Sequence, residues 1–155
     1  MAGLVEKRLE ALGVVLPTPP APIANYVGFV QTGSLLVVSG QLCIGADGKL
    51  TAKGKLGGGV SSSDGAAAAR ACAINLLGQV KAALGDLDRV TRVVRLGGFI
   101  SATPDFIDLP KVMNGASDLM VEVFGDKGRH ARTTVGVPVL PLDAAVEVEG
   151  LFEVA

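Results

Sequence analysis

The chain of 155 residues carries 14 Lys plus Arg against 15 Asp plus Glu, a formal net charge of −1, and 49% of it is apolar. That length suits one domain with a real core, the low charge excludes a disordered chain, and the near-neutral balance leaves no electrostatic footprint for nucleic acid or an anionic membrane. One His and two Cys, Cys43 and Cys72, cannot build an ordinary His/Cys zinc site, and their spacing is no redox motif, so two buried thiols are expected.

The first ten residues are short, charged and amphipathic, unlike a secretory signal. No run approaches the ~18 consecutive apolar residues of a membrane span. A cytoplasmic location is the resulting expectation. Leu4, Val5, Leu9 and Leu12 fall near helical spacing, which predicts a helix over 4–12 ended by Gly13. Pro17, Pro19, Pro20 and Pro22 then make an extended arm, because proline lacks the donor a helix or central strand needs. Residues 1–22 thus read as a helix and arm ahead of a domain over 23–155. Residues 26–31 and 35–41 are β-rich and flank Thr32-Gly33-Ser34, a hairpin pattern. Gly45, Asp47 and Gly48 mark another turn, and Lys53 to Leu56 reads as a short edge strand. Gly57-Gly58-Gly59 is no phosphate loop, since the Gly-Lys-Ser/Thr ending is missing.

Ser61 to Asp64 supply N-cap candidates for a helix whose stripe is Ala69, Ala73, Leu76, Leu77, Val80 and Leu84, closed by Gly85. Residues 89–100 form a long strand, in which Gly97-Gly98 implies a bulge or a close approach to the backbone. A second helix covers about 106–124, with Pro110 near its start. Strands follow at 132–137 and 145–152, read as a hairpin about Leu140. The order predicts an α+β fold, a mixed, mainly antiparallel sheet with two helices on one face. The other face is apolar enough to expect an oligomer.

Arg132 opens a strand of small and apolar residues, so it needs a partner or an edge. The expected hairpin sets it opposite Glu147 to Glu149. One reading is a structural ion pair. The other is a site where the guanidinium holds a substrate carboxylate and a nearby Glu orients or activates water.

Several segments occur in a telling order: Ile23-Ala24-Asn25-Tyr26, Val38-Ser39-Gly40-Gln41, Ala131-Arg132-Thr133-Thr134-Val135, Leu140-Pro141 and Val146-Glu147-Val148-Glu149. From Ile23 to Val154 the chain resembles the Rid family, the reactive intermediate deaminases, also called the YjgF family. The resemblance implies a chorismate-mutase-like subunit assembled as a homotrimer, with clefts between subunits. It implies hydrolysis of 2-imino or enamino acids to 2-keto acids and ammonia, with no metal or organic cofactor. By the same resemblance Arg132 grips the substrate carboxylate and Glu147 positions the attacking water. Tyr26, Ser39, Gly40 and Asn114 match pocket residues, and Thr134 stands where many members carry Cys or Ser. The segment before Arg132 lacks the usual proline, residues 1–20 extend the N-terminus, and Thr103 to Lys111 is longer than in the short deaminases. These departures mark a longer, divergent branch.

His130 reads either as a pocket acid or base beside Arg132 or as a surface residue ahead of the strand; the second is simpler. Arg129, Arg92 and Arg95 read as solvated or interface charges. Two other functions compete: a trimeric, non-catalytic binder or sensor of small carboxylates, and an endoribonuclease. The charge of −1 and the single His weigh against the last.

Overall fold

The computed structural model describes residues 2–21 and 23–155; Pro22, in the expected arm, lies outside them. The elements in chain order are α1 (Leu4–Ala11), β1 (Phe29–Thr32), β2 (Leu35–Leu42), α2 (Ser62–Leu84), β3 (Val90–Ser101), α3 (Leu109–Phe124), β4 (Ala131–Val137) and β5 (Val146–Val154). Short 3-10 turns precede β3, β4 and β5. The five strands form one mixed sheet in the order β1-β2-β5-β3-β4.

Helix boundaries follow their chemistry. The Ser61 side chain accepts a hydrogen bond from the Asp64 amide at 3.1 Å, capping α2, and Gly85 closes it at φ 74°. α3 begins at Leu109, three residues later than its periodicity suggests, with Pro110 in its first turn. α2 and α3 bury Leu76, Leu77, Val80, Val112, Leu119 and Met120 against the sheet, each fully buried large side chain contributing about 1.5–3 kcal/mol. Leu36, Val93, Leu96, Ile100, Val148 and Phe152 receive them from the sheet. The expected pair of helices on one sheet face is therefore present, with α1 as a third helix at the side. Its Val5 and Leu9 are buried in the same core, and Asp88 accepts hydrogen bonds from the Leu4 and Val5 amides at 2.8 and 2.9 Å.

The last two strands correct the sequence reading. β4 does not pair with β5. It lies parallel to β3, with Leu96 beside Arg132 and Gly98 beside Thr134, at the edge of the sheet. β5 instead runs antiparallel between β2 and β3. The reason is topological. β3-α3-β4 is a strand–helix–strand unit, which returns its second strand parallel to the first. Val146, Val148, Phe152 and Val154 are all buried, as a central strand requires, whereas most of β4 is exposed and tolerates an edge. Lys53 to Leu56 makes isolated bridges to Ala144, Val60 and Ala102 in place of a strand.

No described element covers the second face of the sheet. Val30, Leu35, Val37 and Val135 are exposed there, placed by the pairings Val30–Val37, Val37–Leu151 and Phe99–Val135. Both cysteines are free and buried, as expected from the sequence. None of the described helices is long and apolar enough to cross a membrane.

Candidate active site

The sheet register distributes the predicted site residues over two places. Arg132 and Thr134 pair with Leu96 and Gly98, so they share the helix-facing side at the β4 edge. Glu147 pairs with Phe99 and Leu42 on the open side. Leu96 and Phe99 are three residues apart on one strand, hence on opposite faces. Arg132 and Glu147 of one chain therefore cannot act on one ligand, and the expected juxtaposition of the two is overturned.

At the β4 edge, Arg132 Nη1 donates to Asn114 Oδ1 at 2.9 Å and to Ser117 Oγ at 3.1 Å; Nη2 reaches the Pro110 carbonyl at 3.5 Å. Among the described residues it has no carboxylate partner; Glu149 is paired with Arg95 at 3.8 Å. That removes the structural ion pair as an account of Arg132. The side chain is exposed, so part of its fork is free to meet an anion. Next to it, the Thr134 hydroxyl is buried with no hydrogen-bond partner among the described residues, which is costly unless something brought to the site satisfies it.

Ser117 was not legible as a site residue. It lies three residues after Asn114, so helical periodicity places both on the α3 face toward β4. His130 joins it. The His130 Nδ1 sits 2.6 Å from the Gly128 carbonyl, which can only accept, so Nδ1 carries the proton. Nε2 then accepts from Ser117 Oγ–H at 2.9 Å, leaving a Ser117 lone pair for Arg132. Burial, opposed by the Gly128 contact and aided by Arg132, holds the His130 pKa below its ordinary value, which keeps the ring neutral. His130 is thus half-buried beside Arg132 and fully engaged, neither a free acid nor a loose surface group.

The open face carries the second cluster. β2 bulges against β5 between Val38 and Gln41, which places Ser39-Gly40 in the irregularity. Glu147 lies over Gly40, where an added Cβ would stand 2.5 Å from Glu147 Oε2. Glu149 lies over Gly97 in the same way, at 2.7 Å. The close approach inferred for Gly97-Gly98 is thus a carboxylate on one face and Met113 on the other. Burial, and then the like charge of Glu149, push the Glu147 pKa above the ordinary carboxylate value. Ser39 Oγ donates to the Val27 carbonyl at 2.7 Å, tying the segment that carries exposed Tyr26 to the bulge. Tyr26 itself precedes β1 and is not part of it.

A model of the family described as "YjgF/chorismate_mutase-like, putative endoribonuclease" matches residues 6–154. The chain belongs to this family. The YjgF-like fold expected from the sequence is the one observed. Protein TCP17 of Trypanosoma cruzi is 50% identical over 153 residues, covering 98% of this chain and 95% of its own. The Agrobacterium tumefaciens protein Atu1372 shares 45% identity at a TM-score of 0.92, over 98% of this chain and 93% of that one. A Shewanella oneidensis structure described as a "putative endoribonuclease" shares 38% at a TM-score of 0.93, over 98% and 100% of the two chains. Within the YjgF-like frame, the seven residues singled out from sequence thus separate into two groups. Arg132, Asn114 and Thr134 stand at the β4 edge; Glu147, Gly40, Ser39 and Tyr26 stand with the β2 bulge.

Proposed function

We propose that this chain hydrolyses 2-imino (enamino) acids to 2-keto acids and ammonia, in a cleft completed by two copies within a homotrimer. The observation that carries this reading is the split itself. A guanidinium without a carboxylate partner and a glutamate with a raised pKa sit on opposite sheet faces, so each is half a site. The uncovered apolar face supports assembly, because an apolar surface of that kind marks an interaction site. A heterologous, head-to-tail contact that closes into a ring would bring the β4 edge of one copy to the β2 bulge of the next.

The chemistry asks for little. Arg132 grips the carboxylate through its free donors, with Asn114 and Ser117 holding the guanidinium plane. Glu147 accepts a proton from water as the oxygen attacks the imine carbon. Glu147 passes that proton to the nitrogen, giving the carbinolamine; it then takes the hydroxyl proton and delivers it to the amine as the C–N bond breaks, leaving the ketone and ammonia. The sum is one imino acid plus water giving one keto acid plus ammonia. A general acid–base residue of this kind contributes about 10²–10⁴-fold, most efficiently with a pKa moved toward neutrality. The ribonuclease wording attached to relatives finds less support here: the net charge is −1 and both ring nitrogens of the one His are engaged.

The test generates imino acids in situ with an amino-acid oxidase and follows their decay and the keto acid formed. Wild-type protein should speed hydrolysis, and Arg132→Ala should lower kcat/KM at least a hundredfold. Ligand-induced stabilisation without turnover would instead support the carboxylate-binding alternative.

A further inference from the structure

His130 is the one histidine in the chain, so a serine nucleophile anywhere in it has a single ring to draw on. The structure supplies such a pair at the β4 edge. Ser117 Oγ lies 2.9 Å from His130 Nε2, and His130 Nδ1 lies 2.6 Å from the Gly128 carbonyl. That carbonyl fixes the proton on Nδ1 and turns the Nε2 lone pair to the serine hydroxyl. Nucleophile, base and orienting acceptor are thus in hydrogen-bond contact, with a backbone carbonyl in the orienting place. The group is held firmly. Gly128 is buried and packs so closely on the Met120 carbonyl of α3 that a Cβ would not fit. The orienting carbonyl is therefore seated on the helix that carries Ser117. The ring starts neutral, as a base must, its pKa held down first by burial.

A cation completes the group. Arg132 Nη1 lies 3.1 Å from Ser117 Oγ and 2.9 Å from Asn114 Oδ1. It stabilises negative charge on Oγ as the proton leaves. Ser117 sits within α3, where its own amide belongs to the helix ladder, so an oxyanion must be met by side chains. Arg132 and Asn114 are both exposed beside it. Arg132 takes Asn114 Oδ1, which leaves the Asn114 amide donors and the outer guanidinium nitrogen to meet that charge.

We infer that Ser117 is a nucleophile, with His130 as its general base, in the hydrolysis of small carboxylic esters. The inference does not rest on the imine-hydrolase reading. His130 Nε2 takes the Oγ proton as Oγ bonds to the ester carbonyl carbon, and the carbonyl electrons move onto oxygen, facing Arg132 and Asn114. The intermediate breaks its bond to the alkoxy oxygen, and the His130 imidazolium gives its proton to the leaving alcohol. Water then adds to the acyl-serine and loses a proton to His130. Oγ departs and takes that proton back. The sum is one ester plus water giving one carboxylic acid plus one alcohol.

The experiment treats the full chain with p-nitrophenyl acetate, follows p-nitrophenolate release, and locates the acetyl group by fragment mass spectrometry. Wild type should release a burst matching the protein present and carry the acetyl group on Ser117. Ser117→Ala should lose both. His130→Gln, whose amide oxygen still accepts from Ser117 but is no base, should slow acylation at least a hundredfold, within the span of about 10²–10⁴ that a general base supplies. If that variant does not fold, the acetyl site in wild type and its loss in Ser117→Ala decide the matter. No burst from wild type, a burst that persists in Ser117→Ala, or acetyl groups found only on lysines or the N-terminal amine overturns the inference. So does wild-type acylation by folded His130→Gln. Imine hydrolysis is measured on the same preparations. Acylated Ser117 without imine turnover supports the Ser117–His130 pair and contradicts the imine hydrolase; imine turnover without acylated Ser117 overturns the pair alone.

Discussion

Arg132 depends on neighbours that hold it without neutralising it. Asn114 and Ser117 take one nitrogen of the guanidinium, and neutral His130 turns the Ser117 lone pair toward it. Ser117→Ala should therefore raise KM several-fold while leaving kcat within about twofold, since the loss is in carboxylate binding and the water is activated elsewhere. Steady-state kinetics at fixed pH decide this. Glu147 makes a pH argument. It must be ionised to take a proton from water, and its raised pKa means activity falls off at a higher pH than for an ordinary carboxylate. Burial is the first cause and Glu149 the second, so Glu149→Gln should move the acidic limb of the pH–rate profile to lower pH without removing it. A limb that stays or moves upward contradicts the assignment. Motif order singled out Arg132, Thr134 and Glu147, and the family resemblance added Asn114. Neither revealed Ser117 or the engagement of His130, because a serine on a helix carries no motif until the strand beside it is placed.

The two long helices were legible because each has an apolar stripe at 3.6-residue spacing, a capping serine or an early proline, and a following glycine. What the strands pair with was not, since period-two alternation reports a buried face and says nothing about the neighbour. Reading β4 and β5 as a hairpin ignored the strand–helix–strand unit that claims β4 for β3. Glycine spacing held information of the same kind. Gly115 on α3 sits directly against the Ala66 carbonyl of α2, leaving no room for a methyl group. In an isolated helix Gly→Ala stabilises by about 1 kcal/mol. Here overpacking, worth about 1–3 kcal/mol or more, opposes it and wins. Gly115→Ala should therefore lower Tm by several degrees at matched protein concentration, at about 2–4 °C per kcal/mol for a chain of this size. A Tm equal to or above wild type would refute the close helix crossing.

At the scale of the whole molecule, one chain holds Arg132 and Glu147 on opposite faces of its sheet, and no described element covers the second face. The −1 charge and the scarcity of His and Cys suit a hydrolysis that needs only a held anion, a carboxylate and a water. A site shared between copies requires Arg132 of one copy to work with Glu147 of another. Arg132→Ala and Glu147→Gln, each inactive alone, are mixed one to one, dissociated and reassembled, and assayed for imine hydrolysis. Random trimers place an intact Arg132 beside an intact Glu147 at about one quarter of interfaces, so about one quarter of wild-type activity should return. No recovery from a mixture shown by mass to have exchanged subunits would contradict a site shared between copies.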